Sequence, residues 1–132
     1  MVSVRRARIL VVDDEDFVRS VIIDVLATLG HQVDAASGGA EALRRCEQMR
    51  YDLIVSDLRM PKMDGTALYQ ALRDKYGSAM PRMIFVTGQA HSLDYAGFLG
   101  IAGVPVLAKP FTVDRLQKAV SRTLSTEGPT TG

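Results

Sequence analysis

One cysteine, Cys46, leaves the chain without the means to close an internal disulfide, and such sparse thiol usage fits a reducing compartment. Long apolar runs are missing too. None approaches the roughly 20 residues of a bilayer-spanning helix, which excludes that class. Neither sign of charge dominates: 16 Lys and Arg stand against 15 Asp and Glu, for a net charge of +1. A basic stripe of the kind that binds nucleic acid is lacking, as is a polybasic amphipathic segment for a membrane surface. The opening "MVSVRRARIL" has no separate apolar segment with a small-residue cleavage site, so it does not read as a signal peptide. No Cys and His cluster suggests zinc, and no internal repeat is visible. These absences leave a cytoplasmic globular domain. Its 132 residues suffice for one core.

Short apolar runs alternate with helical patterns. "RILVV" (residues 8–12) is β-branched and continuous, as in a strand buried on both faces. Phe17, Val18, Val21, Ile22, Val25, Leu26 and Leu29 then recur at helical spacing, with Gly30 as the expected C-cap. "HQVDAA" reads as a second strand and "GGAEALRRCEQM" as a helix with Leu43 and Cys46 on one face. "YDLIVSD" is a third strand, followed by the helix "DGTALYQALRDKYG" with Asp64 as N-cap. "RMIFVTG" is a fourth strand, "HSLDYAGFLGIAG" a glycine-rich fourth helix, and "VPVLAKPF" holds a fifth strand. "TVDRLQKAVSRTL" closes the fold, with Thr112 as cap. Residues 126–132 are polar with Gly and Pro and read as a disordered tail or linker stub after a domain over residues 1–125. Five strands alternating with five helices predict a parallel sheet covered on both faces.

In such sheets, functional groups gather beyond the carboxyl ends of the strands, near the switch in strand order. Asp13 and Asp14 end the first strand, Asp57 the third, Thr87 the fourth, and Lys109 with Pro110 the fifth. Three carboxylates in one cleft repel one another unless a cation joins them. All-oxygen ligands, few in number and leaving room for water, suit Mg²⁺. The plainer reading, that the acids 13–16 cap the first helix and complement its dipole, is favoured for Glu15 and Asp16. It weakens for Asp13 and Asp14 once Asp57 converges on them. A carboxylate beside Mg²⁺ and an ammonium can act as a nucleophile toward phosphorus, and Asp57 is the candidate acceptor. Mg²⁺, Lys109 and the Thr87 hydroxyl are suited to hold the charge of the transferring phosphoryl group.

"ILVVDDE", "DLIVSDLRMPKMDG", "IFVTG" and "LAKPF", in this order and at these separations, resemble a response-regulator receiver domain across about residues 7–125. The resemblance implies a flavodoxin-like, doubly wound (βα)5 fold. It implies that Asp57 is phosphorylated by a phosphohistidine donor, a histidine kinase or a histidine phosphotransfer protein. Asp14 and Asp57 would be Mg²⁺ ligands, the backbone carbonyl of Arg59 would complete the protein ligands, and Asp13 would hold metal-bound water. Thr87 and Lys109 would contact the phosphoryl group, and the Lys109–Pro110 bond would be cis. It further implies a phosphoacceptor that assists its own phosphorylation rather than an enzyme, with a weak homodimer left open. The "VPVLAKPF" ending is similar to receiver domains joined to histidine kinases.

Two departures stand out. Val106 replaces the aromatic that such domains often carry three residues before the lysine, and Gly88 stands where Ala or Ser is common. His31 is expected in a surface loop, His91 and Gln89 near the mouth of the site, and Met60 and Met63 beside it. Two rival functions differ in kind. A flavin-binding module would need a glycine- and hydroxyl-rich phosphate loop after the first strand, whereas "DDED" repels phosphate. A Mg²⁺-dependent phosphatase or phosphotransferase acting on a separate substrate would need a further general acid and a covering domain.

Overall fold

The computed structural model describes residues 6–88, 97 and 102–125. Five strands form one parallel sheet in the order β2-β1-β3-β4-β5. They are β1 (Arg8–Val12), β2 (Gln32–Ala36), β3 (Leu53–Ser56), β4 (Arg82–Thr87) and β5 (Val106–Ala108). The helices are α1 (Asp16–Thr28), α2 (Gly39–Gln48), α3 (Gly65–Tyr76) and α4 (Val113–Ser125), with a 3-10 turn at Gly77–Ala79. Gly97 and Ala102 are helical. Gly103, the last residue of the helix expected over residues 91–103, is not helical and takes a φ of +67°, while residues 91–96, His91 among them, and 98–101 lie outside the described residues, as do Gln89 and the tail.

Strand alternation divides the core into two layers. Ile9 and Val11 of β1, with Leu53 and Val55 of β3, face α1 and α4, where Ile22, Leu26, Leu116 and Val120 meet them. Leu10, Val12 and Ile54 face the other way, against Ala42 of α2 and Leu68 and Leu72 of α3. Residues i and i+2 share a face of a strand, so an unbroken apolar run supplies both layers at once. The helix ends follow the sequence. Gly30, at φ +95°, supplies the left-handed residue that ends the turn after α1. The Asp64 carboxylate accepts from Ala67 N–H at 2.9 Å, and the Thr112 hydroxyl accepts from Arg115 N–H at 3.1 Å.

Three expectations are corrected. Phe17 does not join the apolar face of α1 but is 79% exposed. At 3.6 residues per turn it stands roughly 140° around the helix from the buried Ile22. His31 is not a surface residue. It is 7% exposed, and its Nδ1 accepts the Ala7 N–H at 3.0 Å, because the turn after α1 returns the chain beside the start of β1. Met63 packs on the start of α2, where a Cβ on Gly39 would lie 2.7 Å from its Cγ, and it does not line the site.

Candidate functional site

Sheet register places the site. Val12 pairs with Ser56 at the ends of β1 and β3, and Asp57 N–H donates to Val12 O at 3.0 Å. Asp13 and Asp57 therefore leave two adjacent strands at the same level. On the other flank Thr87 pairs with Ala108, and Lys109 N–H donates to Thr87 O at 2.9 Å. Lys109 thus emerges one residue past the end of β5, and its bond to Pro110 is cis.

The side chains meet over this edge. Carboxylate oxygens of Asp13, Asp14 and Asp57 all lie within 4.8 Å of one another. Lys109 Nζ stands 3.1 Å from Asp57 Oδ2 and 3.4 Å from Asp13 Oδ2. Asp13 and Asp57 are buried at 1% and 8% exposure, whereas Asp14 is exposed. Asp13 Oδ1 accepts Glu15 N–H at 2.9 Å, and Asp57 Oδ1 accepts Arg59 N–H at 3.3 Å. The cleft above, about 580 Å³, is lined by Asp14, Asp57, Arg59, Met60, Thr87 and Lys109 among others. A larger cleft of about 770 Å³ lies by the amino ends of β4 and β5 and carries none of the expected site residues.

Burial raises the Asp13 carboxyl above its ordinary value, the Glu15 N–H and the Lys109 charge pull it back, and Asp57 adds to the rise. Burial alone would lower Lys109, but the charges and hydrogen bonds of Asp57 and Asp13 outweigh it and hold the ammonium above its usual range. Three carboxylates against one ammonium leave two formal negative charges in the cluster. The donor set is entirely oxygen, one carboxylate faces solvent, and the cleft has room for water. That chemistry fits a hard divalent cation.

The sequence-derived residues Asp13, Asp14, Asp57, Arg59, Thr87 and Lys109 thus lie together at one strand edge, with Thr87 itself fully buried. The capping reading of the acids holds in a changed form. Glu15 occupies the N-cap of α1 without a side-chain cap bond, and Asp16 lies in the first turn and pairs with Arg19 at 2.6 Å. Sequence reasoning missed Arg19, whose Nη1 donates to the Asp13 backbone carbonyl at 2.7 Å. No motif flags it, since an arginine on a helix at that spacing reads as solvated.

Similarity to known proteins agrees with this geometry. The model of the response regulator receiver domain matches residues 9–121. A probable chemotaxis protein CheY of Rhizobium etli is 30% identical over 87% of this chain and 90% of its own length. The sensor kinase CckA of Brucella abortus is 35% identical over 89% of this chain but only 12% of its own length. Among solved structures, the receiver domain of a Pseudomonas aeruginosa sensor histidine kinase superposes with a TM-score of 0.82 at 32% identity. The match covers 92% of this chain and all of that one, and that structure has a magnesium ion coordinated in its active site cleft. Among the described residues no helix is long and apolar enough to cross a membrane. With the fold, the acid cluster and the family match in agreement, the chain belongs to the response regulator receiver domains of two-component signalling.

Proposed function

We propose that this receiver takes a phosphoryl group onto Asp57 from a phosphohistidine on a histidine kinase or histidine phosphotransfer protein. The observation that carries this reading is the Lys109 ammonium lying 3.1 Å from Asp57 in a cleft where three carboxylates share one edge. Asp14 and Asp57, with the Arg59 carbonyl, would hold Mg²⁺, and Asp13 would hold metal-bound water. When bound, the ion offsets the carboxylate charge and helps to hold the phosphoryl oxygens.

The chain's own groups do the rest. An Asp57 carboxylate oxygen attacks phosphorus, and the phosphorus–nitrogen bond of the donor breaks. The electron pair goes to the imidazole, which takes up a proton. The Arg59 N–H on Oδ1 fixes the carboxylate plane, and the Lys109 ammonium stands where charge is transferred. The Thr87 hydroxyl, at the end of β4, is suited to receive a phosphoryl oxygen. Val106 has no ring to turn inward, so signal output runs through another element. The domain spans residues 1–125, residues 126–132 act as a tail or linker, and the protein works in the cytoplasm. It is a phosphoacceptor rather than a catalyst of turnover.

The test is phosphorylation by acetyl phosphate with Mg²⁺, followed by intact mass and peptide mapping. One phosphate on Asp57, lost in Asp57→Asn and on chelation, is expected. An Asp57→Asn variant that still gains one phosphate refutes the assignment.

A further inference from the structure

We propose that Arg19 is a positioning residue for the acid cluster, acting through the backbone of Asp13; this rests on the Mg²⁺-dependent reading above. The loop from β1 into α1 carries two of the three carboxylates, yet it lacks the usual fastening of a helix start. Glu15 sits at the N-cap without capping through its side chain. The Glu15 N–H instead donates to Asp13 Oδ1, a bond that comes from inside the cluster itself.

Arg19 supplies the external fastening. Its Nη1 donates to Asp13 O at 2.7 Å, and its Nη2 donates to Asp16 Oδ1 at 2.6 Å. A planar guanidinium can span two acceptors in this way, which a lysine's point charge cannot. The Arg19 side chain is 19% exposed while Asp16 is 91% exposed, so the inner bond to Asp13 is the sheltered one. The fork fixes the peptide between Asp13 and Asp14 from the helix side, opposite the hydrogen bond from Asp13 N–H to Ala36 O at 3.2 Å. Asp14 is exposed and hangs on that peptide, so its direction toward Asp57 depends on the tether.

The Arg19 charge also lies near the cluster, where it would oppose a cation. That opposing effect is small, because Asp16 neutralises the guanidinium at contact distance. Removing Arg19 should therefore weaken Mg²⁺ binding through lost geometry rather than strengthen it through lost charge.

The test is calorimetric titration of the full chain with MgCl₂, alongside thermal melts and acetyl phosphate labelling at saturating Mg²⁺. Arg19→Ala is expected to bind Mg²⁺ roughly ten-fold more weakly, the effect of losing one charge-assisted hydrogen bond. Arg19→Lys keeps the charge and should remain weakened. Asp16→Asn leaves the inner bond in place and only unmasks the guanidinium charge at an exposed ion pair, so it should weaken Mg²⁺ binding clearly less than Arg19→Ala does. A fully restored Arg19→Lys, or a folded Arg19→Ala that binds as wild type does, overturns the assignment. If Arg19→Ala fails to fold, the Arg19→Lys and Asp16→Asn pair decides the matter. A wild type that binds no Mg²⁺ overturns the underlying reading as well, so the two failures are distinct.

Discussion

Removing the ammonium of Lys109 tests the electrostatics of the site most directly. In Lys109→Ala, the buried Asp13 and Asp57 lose a cation that stands 3.4 and 3.1 Å away. Each contact has a gross attraction of about 5 kcal/mol at an effective dielectric of about 20, most of which desolvation offsets. Breaking a buried pair by removing one partner costs about 3–5 kcal/mol, and Lys109 keeps 20% of its side chain in water. The expected loss without metal is therefore about 3 kcal/mol, read from urea unfolding. The sign against pH follows from Asp13, whose carboxyl is already raised above 3.8. A raised acid costs stability once ionised, so its penalty is absent below the unfolded value and grows as pH rises through the folded one. Loss of Lys109 raises Asp13 further, so the variant should be worst near neutrality and approach wild type in acid. Mg²⁺ should rescue it more than it stabilises wild type, because the ammonium no longer competes for the same carboxylates. A Lys109→Ala protein as stable as wild type at neutral pH without metal would refute the reasoning. So would a deficit that does not shrink in acid.

Other perturbations probe the frame around the site. The Gly65 position admits no Cβ, since one would lie 2.5 Å from Asp57 O and 2.9 Å from Phe85 Cε1. Gly65→Ala should cost about 1–3 kcal/mol by overpacking and slow acetyl phosphate labelling of Asp57, both measurable on one preparation. His31 is held neutral by burial, which lowers its pKa below 6.5. Its contribution is therefore complete above that value and is lost as pH falls through the folded one, so the stability gap between wild type and His31→Gln should narrow in acid. Tyr51→Phe removes the 2.6 Å bond to Asp34 and should cost about 1–2 kcal/mol in a thermal or urea melt, with Mg²⁺ affinity unchanged.

Much of this architecture was legible in the sequence, for a physical reason. Strands buried on both faces must be apolar throughout, and the residues just past them can be polar because they stand at an open edge. Asp13, Asp57 and Lys109 obey that rule, so their convergence on one edge followed from the strands being parallel. What stayed hidden depends on contacts distant in sequence or on direction around a helix. His31 is buried by Ala7, 24 residues away, which no local pattern encodes. Phe17 continued an apolar series, yet the angle around α1 sends it outward. The Arg19 fork needs the loop and the first helical turn folded together before its purpose is visible.

The division of the core into two layers has a consequence for how this domain can change. The layer under α1 and α4 and the layer under α2 and α3 draw alternate residues from the same strands, and among the described residues they form two separate clusters. Substitutions in opposite layers, such as at Leu26 and Leu72, should therefore add within about 0.5 kcal/mol, whereas two in one layer should couple. Sequence drift on one flank is then free of constraint from the other. A domain built this way can remodel the helices on one side while the opposite side, and the strand ends that carry the carboxylates, keep their register.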